Sequence, residues 1–169
     1  MFTPLPRRWL ILARSLVMQE LSVNNASGSS IIPCLRYRDA PAAIDWLCRA
    51  FGFSRHAVYQ DGDIVHHAQL VHGNGMIMLG SVANQGPWGK LITQPDQLQQ
   101  NETQSPCVLV EDVDAHYAQA VACGATIVID IADQGYGGRG YGCRDPEGHL
   151  WWFGSYNPWT ARQDDNGNG

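Results

Sequence analysis

The sequence predicts an α+β fold: two β-α-β-β-β modules forming a curved mixed sheet with helices outside. Three observations predict it. Pro33-Cys34-Leu35 and Pro106-Cys107-Val108 echo one another and are followed at the same offset by Asp39 and Asp112. Beyond each aspartate the apolar residues take helical spacing, with Ile44, Leu47 and Phe51 in the first half and Val113, Tyr117, Ala120 and Val121 in the second. Each half then breaks into short segments separated by turn residues, so the echo reads as a duplicated unit.

The elements follow in order. Asp39 and Asp112 stand where a side-chain oxygen caps the free N–H groups of a helix start. Gly52 and Gly124 stand where a helix needs a positive φ to stop. Arg55 to Gln60, Asp63 to Val71 and Met76 to Leu79 read as strands joined by Asp61-Gly62 and Asn74-Gly75, both suited to tight hairpins. The second half repeats the order with Thr126 to Ile131, Tyr141 to Arg144 and Leu150 to Tyr156. Its last turn, Asp145-Pro146-Glu147-Gly148, has proline to fix φ at the first corner, glycine for a positive φ at the exit, and an aspartate to bond backbone donors.

This gives one domain over residues 31–156, with modules at 31–80 and 105–156 and a polar linker at 81–104 that has some order near Trp88. Residues 1–30 read as an extension outside the core, a short amphipathic helix and a Ser/Asn-rich linker. Arg7 and Arg8 supply the positive flank of a signal peptide, but Arg14 cuts the apolar run too short for one, or for a membrane span. Met18 is an alternative start. Residues 157–169 read as a flexible tail, wholly polar from Gln163 onward.

A chain of 169 residues with 44% hydrophobic and 16% charged residues is ordinary for a soluble globule. Its net charge of −5 and single lysine, Lys90, argue against nucleic acid as a partner, which needs a basic face. The five cysteines are odd in number and include no Cys-x-x-Cys pair, which points to a reduced, cytoplasmic setting. Packing as small hydrophobes is the default reading of those thiols.

Residues 139–154, from Arg139 through the Asp145-Pro146-Glu147-Gly148 turn to Trp151-Trp152-Phe153-Gly154, resemble the closing hairpin of the vicinal-oxygen-chelate superfamily. That group comprises glyoxalases, bleomycin-resistance proteins and extradiol dioxygenases. Residues 31–53, ending in Phe51-Gly52-Phe53, are similar to its opening strand and helix. The resemblance implies a homodimer with a small-molecule ligand. In metal-dependent members four His, Gln or Glu side chains hold a divalent ion. On this chain those positions fall on Ile32, Met78, Ser105 and Trp152, none of which suits a hard cation. The resemblance therefore favours the metal-free binders, without a cofactor or catalytic residues, which sequester a partly aromatic ligand such as an antibiotic. A lyase, isomerase or dioxygenase of the same superfamily is the alternative.

The candidate ligand-binding residues are Trp152, Tyr141, Tyr136, Arg139, Trp88, Tyr59, Met78 and Ile32. Alternation along the last strand puts Leu150, Trp152 and Gly154 on one face and Trp151 and Phe153 on the other. Trp152 either lines a pocket or fills it as core. Tyr136 and Tyr141 flank a glycine-rich loop at the cavity mouth. Arg139 either binds an anionic group or pairs with Glu147 or an aspartate. Trp46 reads as helix-to-sheet packing, and His149 as a residue that packs or bonds beside its turn. His66 and His72 share a strand face but lie too far apart to chelate one ion.

Overall fold

The computed structural model describes residues 28–84 and 86–160. Expectations for the extension up to residue 27 and for the tail beyond residue 160 lie outside the described residues. All elements belong to one compact unit that begins at Ile32. The first module comprises β1 (Cys34–Tyr37), α1 (Ala40–Phe51), β2 (Ser54–Asp61), β3 (Ile64–His72) and β4 (Gly75–Ser81). The second comprises β5 (Cys107–Leu109), α2 (Val113–Ala122), β6 (Thr126–Asp133), β7 (Arg139–Arg144) and β8 (Leu150–Gly154).

The local signals act as physical chemistry requires. Asp39 accepts the backbone N–H of Ala42 at 3.1 Å, and Asp112 that of Ala115 at 2.9 Å. Gly52, Gly124 and Gly148 hold positive φ values of 73°, 87° and 94°, where a side chain would be strained.

The expected curved sheet resolves into two four-stranded sheets, ordered β1-β4-β3-β2 and β5-β8-β7-β6. In each, the first strand pairs in parallel with the last, and the remaining pairs are antiparallel. Each sheet carries its helix on one face, and the helices also meet each other. Trp46 shows this contact directly, since its indole N–H donates to the Cys123 carbonyl at 2.8 Å, across the modules.

Between these faces runs one apolar core shared by both halves. Phe51 of α1 lies at its centre. Its ring is 5.4 Å from that of Trp151 and 4.6 Å from that of Phe153, both on β8 of the other module. His116 of α2 bridges the same region, its Nε2 donating to the Phe51 carbonyl at 3.3 Å and its Nδ1 accepting from the Tyr141 hydroxyl at 2.7 Å. Burial lowers the His116 pKa, which favours this neutral form.

The linker is pinned at several points. It contains two 3-10 turns, Gly89–Leu91 and Pro95–Leu98. Asp96 pairs with Arg38 at 2.6 Å, Glu102 accepts the Leu150 N–H at 2.7 Å, and Arg144 donates to the Gln100 carbonyl. It is therefore tied to both modules.

Phe51→Ala removes a fully buried ring from the contact between the modules. It should cost about 3–5 kcal/mol in chemical denaturation, because neither module can collapse alone into the space left.

Candidate functional site

The faces turned away from the helices carry two grooves, one per sheet. On the second sheet, Trp151 and Phe153 point to the helix side and are 0% exposed, leaving Trp152 on the opposite face. Trp152 stands in register with Cys107 on β5 and Gly142 on β7. Its indole rests over a shelf of glycines. A Cβ at Gly140 would lie 2.7 Å from Trp152 Cζ2, and one at Gly154 would lie 3.2 Å from its Nε1. Only glycine lets the ring lie this close to the sheet.

The resulting groove, about 290 Å³, is lined by Trp152, Cys107, Leu109, Tyr136, Arg139 and Tyr156, among others. Tyr136 and Tyr156 meet edge to face, with ring centroids 5.2 Å apart. Arg139 is already neutralised, its Nε 3.1 Å from Asp114 and its Nη1 3.0 Å from Asp133. Of the alternatives left open by the sequence, the ion pair with an aspartate is formed. Glu147 instead accepts the backbone N–H groups of Arg38 and Asp39, at 2.7 and 2.9 Å.

The groove on the first sheet, about 320 Å³, occupies equivalent positions. Its lining includes Cys34, Arg36, His66, His67, Met78 and Trp88. Met78 pairs with Cys34 as Trp152 pairs with Cys107, and Gly80 pairs with Arg36 as Gly154 pairs with Leu109. Trp88 is 65% exposed, at the rim. Tyr59 stacks on His67, with centroids 6.2 Å apart, and flanks this groove without lining it.

The sequence missed Arg36. It is buried and donates from Nη2 to the carbonyls of Ser81 and Asn84. Gly89 lies against the guanidinium, since a Cβ there would sit 2.7 Å from Nη2. Strand alternation was the available signal: Arg36 falls on the same face of β1 as Cys34.

The structure therefore divides the candidates. Trp152, Tyr136 and Arg139 gather in one groove, and Trp88 and Met78 in the other. Ile32 is half-buried ahead of β1 and lines neither. Tyr141 is placed elsewhere altogether: it is 0% exposed on the helix side, bonded to His116, with no open face for a ligand. Burial raises its pKa well above that of an ordinary phenol. His149 is buried beside its turn, donating from Nε2 to the Arg36 carbonyl at 2.8 Å.

A third cleft, about 260 Å³, runs between α1 and the Asp145–Gly148 turn. The carboxylates at its edge, Asp39, Asp145 and Glu147, already accept protein donors, so no reactive set converges there among the described residues.

Among the described residues, no group of three or more His, Cys, Asp or Glu side chains comes together as a metal site. The four positions on which the resemblance places the ligand set lie in two adjacent pairs, the Met78 N–H donating to the Pro33 carbonyl beside Ile32 and the Trp152 N–H to the Pro106 carbonyl beside Ser105. Isoleucine, methionine, serine and tryptophan do not fit a divalent oxygen- or imidazole-bound cation. No helix among the described residues is long and apolar enough to cross a membrane.

Comparison with known proteins agrees with this architecture. The chain is 33% identical over 127 residues to an uncharacterised protein of Mycobacterium bovis, covering 74% of this chain and 82% of the relative. The crystal structure of TioX from Micromonospora sp. ML1 superposes with a TM-score of 0.59 at 32% identity, over 77% of this chain and all (100%) of that one. A glyoxalase-related enzyme from Fulvimarina pelagi, at 15% identity and a TM-score of 0.53, covers 77% of this chain and 90% of its own, and shares the fold. The family model for the Glyoxalase/Bleomycin resistance protein/Dioxygenase superfamily matches residues 30–153, and with two such modules carrying two open grooves the chain belongs to that superfamily.

Proposed function

We propose that this protein is a metal-free small-molecule binder of the bleomycin-resistance type, which sequesters a partly aromatic ligand, with antibiotics as the class to test first. The observation that carries this reading is the Trp152 indole on its glycine shelf. It presents a large aromatic face at the position where a metal-dependent relative holds a ligand to the ion. A ring held in this way loses little freedom when a second ring stacks on it.

The same reading includes a homodimer. Pockets that enclose a drug-sized ligand run from about 300 to 1,000 Å³. The grooves here, about 290 and 320 Å³, sit at the lower end of that range and are open. Two grooves facing each other across a pair of chains would enclose a ligand that neither encloses alone.

Titrating aromatic antibiotics against tryptophan fluorescence should give saturable binding, which Trp152→Ala weakens by roughly 1–3 kcal/mol. The reading fails if the purified protein carries a stoichiometric divalent ion that EDTA removes together with a lyase or isomerase activity. Gly140→Ala tests the shelf separately: its Cβ displaces the indole, so binding should fall as in Trp152→Ala, at a stability cost of about 1–3 kcal/mol. Sedimentation of the full chain should give the mass of two copies, and a monomer that binds equally well would remove the shared-groove part of the reading.

A further inference from the structure

The grooves differ most at one pair of equivalent positions, Arg36 in the first and Leu109 in the second. Arg36 is 8% exposed, and its Nε is buried without a hydrogen-bond partner. Arg38, Arg55, Arg139 and Arg144 each have a carboxylate within ion-pair range, whereas among the described residues none reaches Arg36. Among the described residues, the lining of its groove contains no Asp or Glu, in a chain of net charge −5. The Ser81 and Asn84 carbonyls satisfy two donations from Nη2 but bring no formal charge. A guanidinium withdrawn from water is costly unless an anion neutralises it. Burial lowers the Arg36 pKa, and no carboxylate acts to raise it.

We infer that the groove of the first sheet recognises an anion: Arg36 at its floor takes the carboxylate of an aromatic ligand whose ring lies against Trp88 and Met78. This rests on the reading of the grooves as small-molecule sites and adds the charge of the ligand. The chemistry suits the residue: with Nη2 committed to the two carbonyls and Nε buried, Nη1 is left to donate a charge-assisted hydrogen bond to a carboxylate, and Trp88 and Met78 supply apolar contact beside it. In the second groove Asp114 and Asp133 already occupy Arg139, so no equivalent demand for an anion exists there.

The experiment is a calorimetric titration of the full chain with 2-naphthoate and with 2-naphthamide, which share a ring system and differ in charge. The carboxylate should bind roughly tenfold or more tightly, as one charge-assisted hydrogen-bonded contact requires. Added salt should narrow the gap. Arg36→Gln should abolish the preference for the carboxylate over the amide, whatever it does to both affinities through the linker it holds, and Arg36→Lys, which keeps the charge, should retain part of that preference. Equal binding of the two probes to the unaltered protein, or a preference that survives Arg36→Gln, overturns the inference and leaves aromatic capture standing. Binding of neither probe overturns the inference, and if the aromatic antibiotics fail as well, the underlying reading falls with it. Should Arg36→Gln not fold, the comparison of the two probes and its salt dependence in the unaltered protein still decide.

Discussion

The carboxylate of Asp145 is the interaction on which the arrangement of the two modules depends. It is 3% exposed, and all its acceptor capacity is used. One oxygen accepts the backbone N–H groups of Glu147 and His149 at 3.1 and 3.0 Å, which closes the β7–β8 turn. The other accepts the Tyr37 hydroxyl at 2.6 Å and the Trp151 indole N–H at 3.1 Å, which ties that turn to β1 of the other module and to the core. Hydrogen bonds to a charged group contribute about 1.5–3 kcal/mol each. The adjacent residues extend the junction, Glu147 onto the N–H groups of Arg38 and Asp39 and His149 onto the Arg36 carbonyl. A turn that looks local in the sequence thus fixes the exit of β1, the start of α1 and the strand that carries Arg36.

Because this junction and the Phe51 core occupy the helix sides of both sheets, the remaining face of each sheet is free to form a groove. The backbone of the two grooves is closely alike, with matching register between β1 and β4 and between β5 and β8. Their chemistry differs through a few side chains set on that common frame. Met78 against Trp152 exchanges a flexible thioether for a rigid aromatic face. Arg36 against Leu109 exchanges a charge for an apolar group. The linker adds Trp88 to the first groove, and Arg36 draws it there by holding the Ser81 and Asn84 carbonyls.

Much of the fold was legible because its signals are local. Asp39 and Asp112 as caps and Gly52 and Gly124 as helix stops each depend on residues within one turn of chain; the two hairpins form where expected, but their corners are Gly62-Asp63 and Gly73-Asn74, one residue away from Asp61-Gly62 and Asn74-Gly75. Which face a residue occupies was legible only where alternation was followed through a whole ladder. Trp152 was placed correctly from β8 alone. Tyr141 was not, although it stands directly opposite Phe153, and in-register partners share a face. With Phe153 on the helix side, Tyr141 lies there too. The division into two sheets, and the choice of Asp114 and Asp133 over Glu147 as partners for Arg139, depend on how distant strands and helices meet, which no local pattern states.

Among the described residues neither groove gathers a metal-ligand set, so under the proposed reading affinity would come from stacking, shape and at most one charge. Symmetry then limits how two copies can build a closed site. If the first groove of one copy faces the first groove of the other, one site forms on the two-fold axis and each Trp152 groove is left without a counterpart. If the first groove of one copy faces the second groove of its partner, the two-fold axis generates two identical sites. Each would have one wall bearing Arg36, Met78 and Trp88 and one wall bearing Trp152, Tyr136 and Tyr156. Only the second arrangement uses both kinds of wall in every site, and under the proposed reading it would give the divergence between the two modules a purpose: the Arg36 wall would take the charge and one side of the ring, and the Trp152 wall would stack on the other side.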